Sequence, residues 1–214
     1  MYRLHGFCQS GNTFKVAFLM RALAVPWEPV FVDFFGGATR GADWREATNP
    51  MGEVPVLEAD GQRLTQSGAI LSWLAERHGP DWRGRSEEER FEVLRWLLFD
   101  NHKFTSYFAT YRFIKAFGPT APDPAVMAFL RGRIDGAFGV VDKHLAGRPF
   151  VAGDAATIAD LSLSGYLFYP VAESDYAVEG RFPNIAAWVG RVRALPGWGD
   201  PYDVLPGTRI EPRW

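Results

Sequence analysis

The sequence of 214 residues has one cysteine, no excess of charge of either sign and no long apolar run. Without a second cysteine an internal disulfide is excluded, which favours a reducing cytoplasm. The formal charge of −2, from 23 basic and 25 acidic residues, provides no basic surface for nucleic acid or for an anionic membrane. No stretch reaches the roughly 18 apolar residues of a membrane span. The N-terminus also lacks the apolar region of a signal peptide.

Motifs for inorganic and phosphate ligands are missing as well. No group of His, Cys, Asp or Glu has the spacing of metal ligands, and no glycine-rich phosphate-binding loop is present. Apolar residues nevertheless make up 47% of the chain and aromatic residues 15%, which is enough to fill sizeable cores. We therefore expect a compact protein without a metal site.

Two kinds of sequence pattern divide the chain. Residues 1–77 alternate short apolar runs with helical patterns, which predicts a thioredoxin-like layer of sheet and helices. Residues 78–86 combine Gly, Pro and charge without periodicity and are predicted to be a linker. Residues 87–214 show helical patterns only, so the fold class is α/β followed by an all-α helical bundle. The predicted strands are 2–7, 27–33, 54–58 and 62–64, and the predicted helices are 12–24, 67–77, 86–116, 124–145, 157–173 and 183–195. The last two strands are predicted to form a hairpin, with Ala59-Asp60-Gly61 as its turn.

The pair Val54-Pro55, followed by Gln66-Ser67 at the start of a helix, carries most of the functional information. Proline cannot donate to a sheet ladder and belongs at an edge or bulge. We predict a cis bond before Pro55 and a Val54 whose N–H and C=O face outward to pair with an extended ligand. Ser67 lies where free backbone N–H groups and the positive end of the helix dipole bind carboxylates. The spacing therefore predicts a site for a small anionic peptide.

This pattern resembles the cytosolic glutathione transferase family, and the resemblance extends over the whole chain. Val54-Pro55 with Gln66-Ser67 is similar to the family's glutathione site, and residues 156–161 are similar to the capping-box motif of its helical domain. The chain is identified as resembling a bacterial serine-type member. The resemblance implies glutathione as co-substrate, a small electrophile as second substrate, a cytoplasmic location and a homodimer.

The segment Cys8–Thr13 follows the first strand and directly precedes a helix. A thiol brought to this point would meet a helix N-terminus and a hydroxyl group, both of which stabilise a thiolate. The resemblance implies that Ser10 is the catalytic hydroxyl, and an ordinary helix N-cap is the alternative. The amide of Asn12 is a second candidate to reach the sulfur. Cys8 is expected to be a small buried residue, with redox chemistry as the alternative.

The resemblance also assigns roles around the peptide ligand. Val54 would act through its backbone and Pro55 through its geometry, while the γ-glutamyl group would meet the first residues of the helix that follows. Arg40, in the glycine-rich loop 34–48, is a candidate for binding the glycyl carboxylate. The implied glutathione-binding residues are Asn12, Arg40, Glu53, Val54, Pro55, Gln66 and Ser67.

Aromatic residues at helical spacing on the first long helix of the bundle are predicted to line a second-substrate pocket at the domain junction, where ligands often bind. The alternative is that they fill the bundle core or a subunit interface. These residues are Phe104, Tyr107, Phe108 and Tyr111.

Several activities remain open within the resemblance. Conjugation of glutathione to electrophiles is the leading hypothesis, and the same thiolate would also serve a peroxidase, a disulfide reductase or a cis–trans isomerase. A non-catalytic binding protein of the same fold is the alternative from another class, because fold does not fix function. The presence of Ser10 together with Val54-Pro55 and Gln66-Ser67 favours an enzyme.

Overall fold

The computed structural model describes all residues from Met1 to Trp214. The chain forms two compact units. The first consists of Met1–Asp81 with Leu195–Arg209, and the second of Trp82–Ala194 with Ile210–Trp214. The sequence patterns placed the whole of 87–214 in one helical domain, so the return of Leu195–Arg209 to the first unit is a feature that they did not indicate.

The first unit is built on a four-stranded mixed sheet with strand order β2-β1-β3-β4. Strand β1 is parallel to β2 and antiparallel to β3, and β3 and β4 form an antiparallel hairpin. This confirms the predicted thioredoxin-like layer. The elements are β1 (Tyr2–Gly6), α1 (Gly11–Ala22), β2 (Trp27–Phe31), α2 (Ala42–Ala47), β3 (Val56–Ala59), β4 (Gln62–Thr65), α3 (Ser67–His78) and, after the second unit, α9 (Pro201–Val204).

The β3–β4 hairpin has the turn that its sequence predicts. Asp60 and Gly61 have φ angles of 51° and 76°, as a two-residue turn with two left-handed positions requires. Strand β3 begins at Val56 rather than at Val54, because Pro55 has no N–H for the ladder. The peptide bond between Val54 and Pro55 is cis, as predicted.

The second unit contains no strand. Its helices are α4 (Glu87–Phe99), α5 (Thr105–Phe117), α6 (Pro124–Leu145), α7 (Ile158–Ser164) and α8 (Pro183–Arg193). The helix predicted over 86–116 is observed as α4 and α5, which are joined without interruption by a π-helical segment, Asp100–Phe104, that the sequence patterns did not indicate. The buried carboxylate of Asp100 accepts hydrogen bonds from the Thr105 N–H at 3.1 Å and the Ser162 hydroxyl at 2.6 Å, which supports this widened turn.

A buried carboxylate organises the start of α7. Asp160 accepts hydrogen bonds from the N–H groups of Thr157 and Val151 at 2.9 and 3.0 Å and from the indole N–H of Trp188 at 2.8 Å. This confirms the predicted capping box. Helix α7 ends at Ser164 rather than near residue 173. Turn residues follow Ser164, and Pro170 would interrupt a helix that continued to residue 173. None of the helices has the length and apolarity that crossing a membrane would require.

Candidate active site

Ser10 lies in a tight turn between β1 and α1 and caps the helix. The turn is closed by a hydrogen bond from the Ser10 N–H to the Phe7 carbonyl at 3.0 Å. The Ser10 Oγ accepts hydrogen bonds from the Thr13 N–H at 3.1 Å and the Thr13 hydroxyl at 2.9 Å. A serine hydroxyl has two acceptor sites and one proton to donate. Because Thr13 occupies both acceptor sites, the Ser10 proton is left to donate to a bound group.

Thr13 and Gly6 support Ser10, and the sequence patterns did not identify either of them as part of the site. The Thr13 side chain occupies the space where a β-carbon of residue 6 would be, so only glycine fits at the end of β1. The available signal was a glycine at the end of a strand pattern, which often marks a close approach by another group. Gly6 thus allows Thr13 to reach the Ser10 hydroxyl.

The first turns of α1 and α3 meet in the first unit. The Ser67 hydroxyl, on the first residue of α3, donates to the Asn12 side-chain carbonyl at 3.3 Å. The first N–H groups of each helix have no partner within the helix, and the positive ends of the two dipoles lie there. The structure therefore brings together three predicted residues, Ser10, Asn12 and Ser67, at a place that favours anions.

Gln66 precedes α3 in an unusual backbone conformation, with φ 65° and ψ 109°. Sparsely populated conformations of this kind cost about 1–3 kcal/mol and concentrate at functional sites. The Gln66 amide donates to the Glu53 carboxylate at 2.9 Å and to the Met51 sulfur at 3.1 Å. Both Gln66 and Glu53 are exposed, so their polar groups are accessible to a ligand.

Val54 has an unpaired backbone. Its N–H and C=O form no hydrogen bond with the rest of the chain, whereas Val56, two residues later, already pairs with β1. The loop before Val54 is held by Asn49, a buried residue that the sequence patterns did not single out. The Asn49 amide donates to the Glu53 carbonyl at 2.9 Å and accepts from the Met51 N–H at 3.0 Å. The Asn-Pro turn signal at Asn49 was the available clue.

Arg40 ends a short 3-10 turn, Ala38–Arg40, and is exposed. Its guanidinium lies beside Gly37 and forms no hydrogen bond or ion pair. It is therefore free to bind an anion. The structure gives it no hydrogen bond to the other predicted binding residues.

Three of the four aromatic residues predicted for a second-substrate pocket are buried in the second unit, and these are Phe104, Phe108 and Tyr111. The Phe104 ring stacks on Phe138 with centroids 4.3 Å apart, and Tyr176 packs edge-on against two of the three. These contacts favour the alternative that the three form the bundle core, although Phe108 also borders a cavity of about 450 Å³. Tyr107 is half-buried and lies outside this cluster.

A second aromatic cluster, in the first unit, was missed from the sequence. The Phe7 ring stacks on Phe34 at 4.9 Å and meets the edge of Phe35 at 5.5 Å. Phe7 also accepts the hydrogen bond that closes the Ser10 turn, so this cluster borders the turn. The signal in the sequence was a pair of phenylalanines at the start of a loop that has no other apolar pattern.

Cys8 is fully buried, as expected, and lies in the turn after β1 rather than in the strand. Its thiol donates to the Gln9 side-chain carbonyl at 3.2 Å. No group of three or more His, Cys, Asp or Glu side chains is arranged to hold a metal ion.

Comparison with known proteins decides the family. The family model "Glutathione S-transferase, N-terminal domain" matches residues 4–84, and the model "Glutathione S-transferase, C-terminal domain" matches residues 104–196. The chain belongs to the glutathione S-transferase family. A solved glutathione S-transferase from Xanthobacter autotrophicus Py2 is 35% identical, covers 93% of this chain and 96% of its own length, and superposes with a TM-score of 0.84.

Two further similar proteins lie at greater distance. Human glutathione S-transferase theta-2B is 31% identical over 179 residues, which are 81% of this chain and 72% of the human protein. The structure of Ure2p in complex with glutathione is 22% identical, covers 92% of this chain and 95% of that one, and has a TM-score of 0.82. The likeness to Ure2p shows the shared fold alone.

Proposed function

We propose that this protein is a catalytically active glutathione transferase of the serine type, which activates the glutathione thiol for attack on a small electrophile. The observation that carries the proposal is the Ser10 hydroxyl, whose two acceptor sites are filled by Thr13 and whose proton is left to donate beside a helix N-terminus. A hydroxyl in this state stabilises a thiolate more than a thiol. The names of relatives at 31% and 35% identity support the same activity.

In the proposed complex the γ-glutamyl carboxylate binds the Ser67 end of α3, where N–H groups and the helix dipole favour an anion. Glu53, oriented by the Gln66 amide, binds the γ-glutamyl ammonium. The backbone of Val54 pairs with the cysteinyl backbone, because its N–H and C=O have no partner in the chain. The binding of glutathione by Ure2p, a protein of the same fold, supports this assignment.

Three further residues complete the proposed complex. Arg40, an exposed arginine without an ion pair, is proposed to bind the glycyl carboxylate. Pro55 sets the direction in which the chain enters β3, and Asn12 holds Ser67 and faces the sulfur from the first turn of α1. No metal ion takes part in this arrangement.

The chemistry needs only an ionised and positioned sulfur. The thiol proton passes to solvent, the thiolate accepts a hydrogen bond from Ser10, and the sulfur attacks the electrophilic carbon as the leaving group departs with its electron pair. Lowering a thiol pKa from about 8.5 by one unit corresponds to about 1.4 kcal/mol. We place the enzyme in the cytoplasm, where reducing conditions keep glutathione in the thiol form.

Turnover separates this proposal from its alternatives. We expect the protein to conjugate glutathione to chlorodinitrobenzene, followed by the absorbance of the product. Reduction of cumene hydroperoxide without conjugation would instead assign the thiolate to a peroxidase. Tight glutathione binding in calorimetry with neither reaction would identify a binding protein.

We propose that the Phe7, Phe34 and Phe35 cluster contributes to the electrophile site, because it borders the Ser10 turn. Phe34→Ala is expected to raise the KM for chlorodinitrobenzene several-fold and to leave glutathione affinity unchanged. Phe113→Ala, on α5, is the control. Equal kinetics in Phe34→Ala and the control would remove the cluster from the proposal.

The proposed homodimer is supported by two open faces of the second unit. On α4, Phe91, Leu94 and Leu98 are 66%, 54% and 62% exposed and lie on one face of the helix, since residues three and four apart are neighbours. On α6, Phe129 and Val140 are 58% and 52% exposed, and the glycines between them at 132 and 136 border open space. Exposed apolar faces of this kind can pair with the same face of a second copy in a two-fold dimer.

The proposed dimer can be tested by placing a charged side chain on one of the two exposed apolar faces. Leu94→Glu is expected to shift the mass measured by light scattering from twice 24.0 kDa towards the monomer. Val171→Glu, at a residue that is equally exposed but lies outside the two faces, is expected to remain dimeric. A monomeric parent protein at micromolar concentration would contradict the proposal.

A further inference from the structure

The turn that carries Ser10 is bound by a partly exposed segment of the first unit, Pro206–Thr208, which we call the strap. The Cys8 N–H donates to the Pro206 carbonyl at 2.9 Å. The Gln9 amide donates to the Thr208 carbonyl at 2.8 Å. Cys8 and Gln9 are the two residues directly before Ser10. Both bonds lie within the first unit.

The Gln9 side chain forms hydrogen bonds both to the turn and to the strap. Its side chain is 4% exposed, its carbonyl accepts from the Cys8 thiol at 3.2 Å, and its amide donates to the strap. A buried side-chain amide that uses both ends in this way costs free energy when either partner is lost. Gln9 is therefore built to hold the turn and the strap in one arrangement.

Glycine at position 207 allows the strap to approach. Gly207 has φ +113°, a conformation that residues with a side chain rarely adopt. An added β-carbon would lie 2.9 Å from Phe31 Cε2 and 3.4 Å from the Cys8 sulfur. Upstream, the Arg21 guanidinium on α1 donates to the Gly197 carbonyl at 2.7 Å. The segment that leads to the strap is thereby attached to the same helix that Ser10 caps.

We propose that the strap is a positioning element of the active site and that Gln9 is its positioning residue. The turn has one internal hydrogen bond between backbone groups, from the Ser10 N–H to the Phe7 carbonyl, and the strap carbonyls hold the two preceding residues by accepting from the Cys8 N–H and the Gln9 amide. Hydrogen bonds weaken steeply away from their preferred angle, so a turn released from the strap would present the Ser10 hydroxyl poorly to the sulfur. This inference rests on the proposed function of Ser10.

The experiment compares Gln9→Met and Gly207→Val in the full-length protein. Gln9→Met keeps the side-chain volume and removes the donor to the strap, and Gly207→Val displaces the strap through the contacts described above. Thr208→Ala is the first control, because the Thr208 carbonyl is retained. Gly180→Val is the second, since Gly180 has φ +81° with nothing within 4 Å and reports the cost of the conformation alone.

Three measurements are made on each variant. The first is the pKa of the bound glutathione thiol, from thiolate absorbance against pH. The second is the affinity for S-methylglutathione, which has no thiol to ionise. The third is the rate at which an aromatic disulfide reagent modifies Cys8, which is the only cysteine in the chain and is buried beneath the strap.

We expect both test variants to raise the bound thiol pKa, to slow conjugation about tenfold and to speed modification of Cys8, with S-methylglutathione affinity unchanged. The two controls should behave as the parent protein. Faster modification of Cys8 with an unmoved thiol pKa would overturn the positioning role, and so would unchanged values of both. Failure of the parent protein to bind S-methylglutathione would instead contradict the proposed function itself. If Gly207→Val does not fold, Gln9→Met decides the outcome.

Discussion

Replacement of Ser10 by alanine separates the two roles that the structure gives this residue. The Ser10 oxygen caps α1 by accepting from the Thr13 N–H, and its proton is proposed to stabilise the glutathione thiolate. Loss of an N-cap costs about 1 kcal/mol of stability. Loss of a hydrogen bond to a charged group costs about 1.5–3 kcal/mol. At 1.36 kcal/mol per pKa unit, this second cost raises the pKa of bound glutathione by about one to two units.

The matched control is Ser86→Ala. Ser86 caps α4 by accepting from the Glu89 N–H at 3.1 Å, the distance found for Ser10 and Thr13. Both variants should therefore lose about 1 kcal/mol of unfolding free energy in urea. Only Ser10→Ala should move the thiolate titration and slow conjugation at neutral pH, with glutathione affinity little changed.

The reasoning would be refuted by a Ser10→Ala variant whose bound thiol titrates as in the parent protein. If Asn12→Ala moved the titration instead, the amide would replace the hydroxyl as the group that contacts the sulfur. A titration moved equally by Ser86→Ala would show that helix capping, rather than a contact with sulfur, controls the thiol.

Three further outcomes are expected. Gln66→Gly should raise the urea midpoint, because glycine relieves about 1–3 kcal/mol of backbone strain, and should weaken glutathione binding in calorimetry, because Glu53 loses its orienting amide. Asp160→Ala should lower the unfolding free energy by about 1–3 kcal/mol for each buried donor that loses its partner, and it leaves the Trp188 indole and two backbone N–H groups unpaired; a total loss below about 1 kcal/mol would contradict this account. Burial lowers the pKa of His5 below 6.5, so the unfolded chain binds protons more tightly and stability falls as the pH drops from about 6.5. His5→Gln should flatten that dependence, and an unchanged slope would exclude His5 as its source.

Elements with a local chemical signal were predictable from the sequence. Helix α6 begins and ends at the predicted residues, because Asp123 caps it and Pro124 suits its first position. The hairpin at Asp60-Gly61 was equally clear, since both residues tolerate left-handed conformations. The helix starts at which Asn12 and Ser67 lie were also predictable, but the hydrogen bond between the two side chains was not.

Features that depend on distant parts of the chain were not predictable. The π-helical segment at Asp100 involves Ser162, and the Gln9 amide donates to Thr208 in the strap. Helical spacing showed that Phe104, Phe108 and Tyr111 share a face, but their partners lie on other segments. Hydrophobic periodicity reports which face is apolar and not what covers it.

The discontinuous first unit has a consequence for synthesis on the ribosome. Its sheet and helices emerge early, but Leu195–Arg209 emerges only after the whole of Trp82–Ala194 has been translated. At about 5–20 residues per second, this delay is on the order of 10 s. During that time the Cys8 N–H and the Gln9 amide have no strap to bind. The nascent first unit is therefore expected to present an open Ser10 turn, with an accessible thiol, until Leu195–Arg209 has been translated.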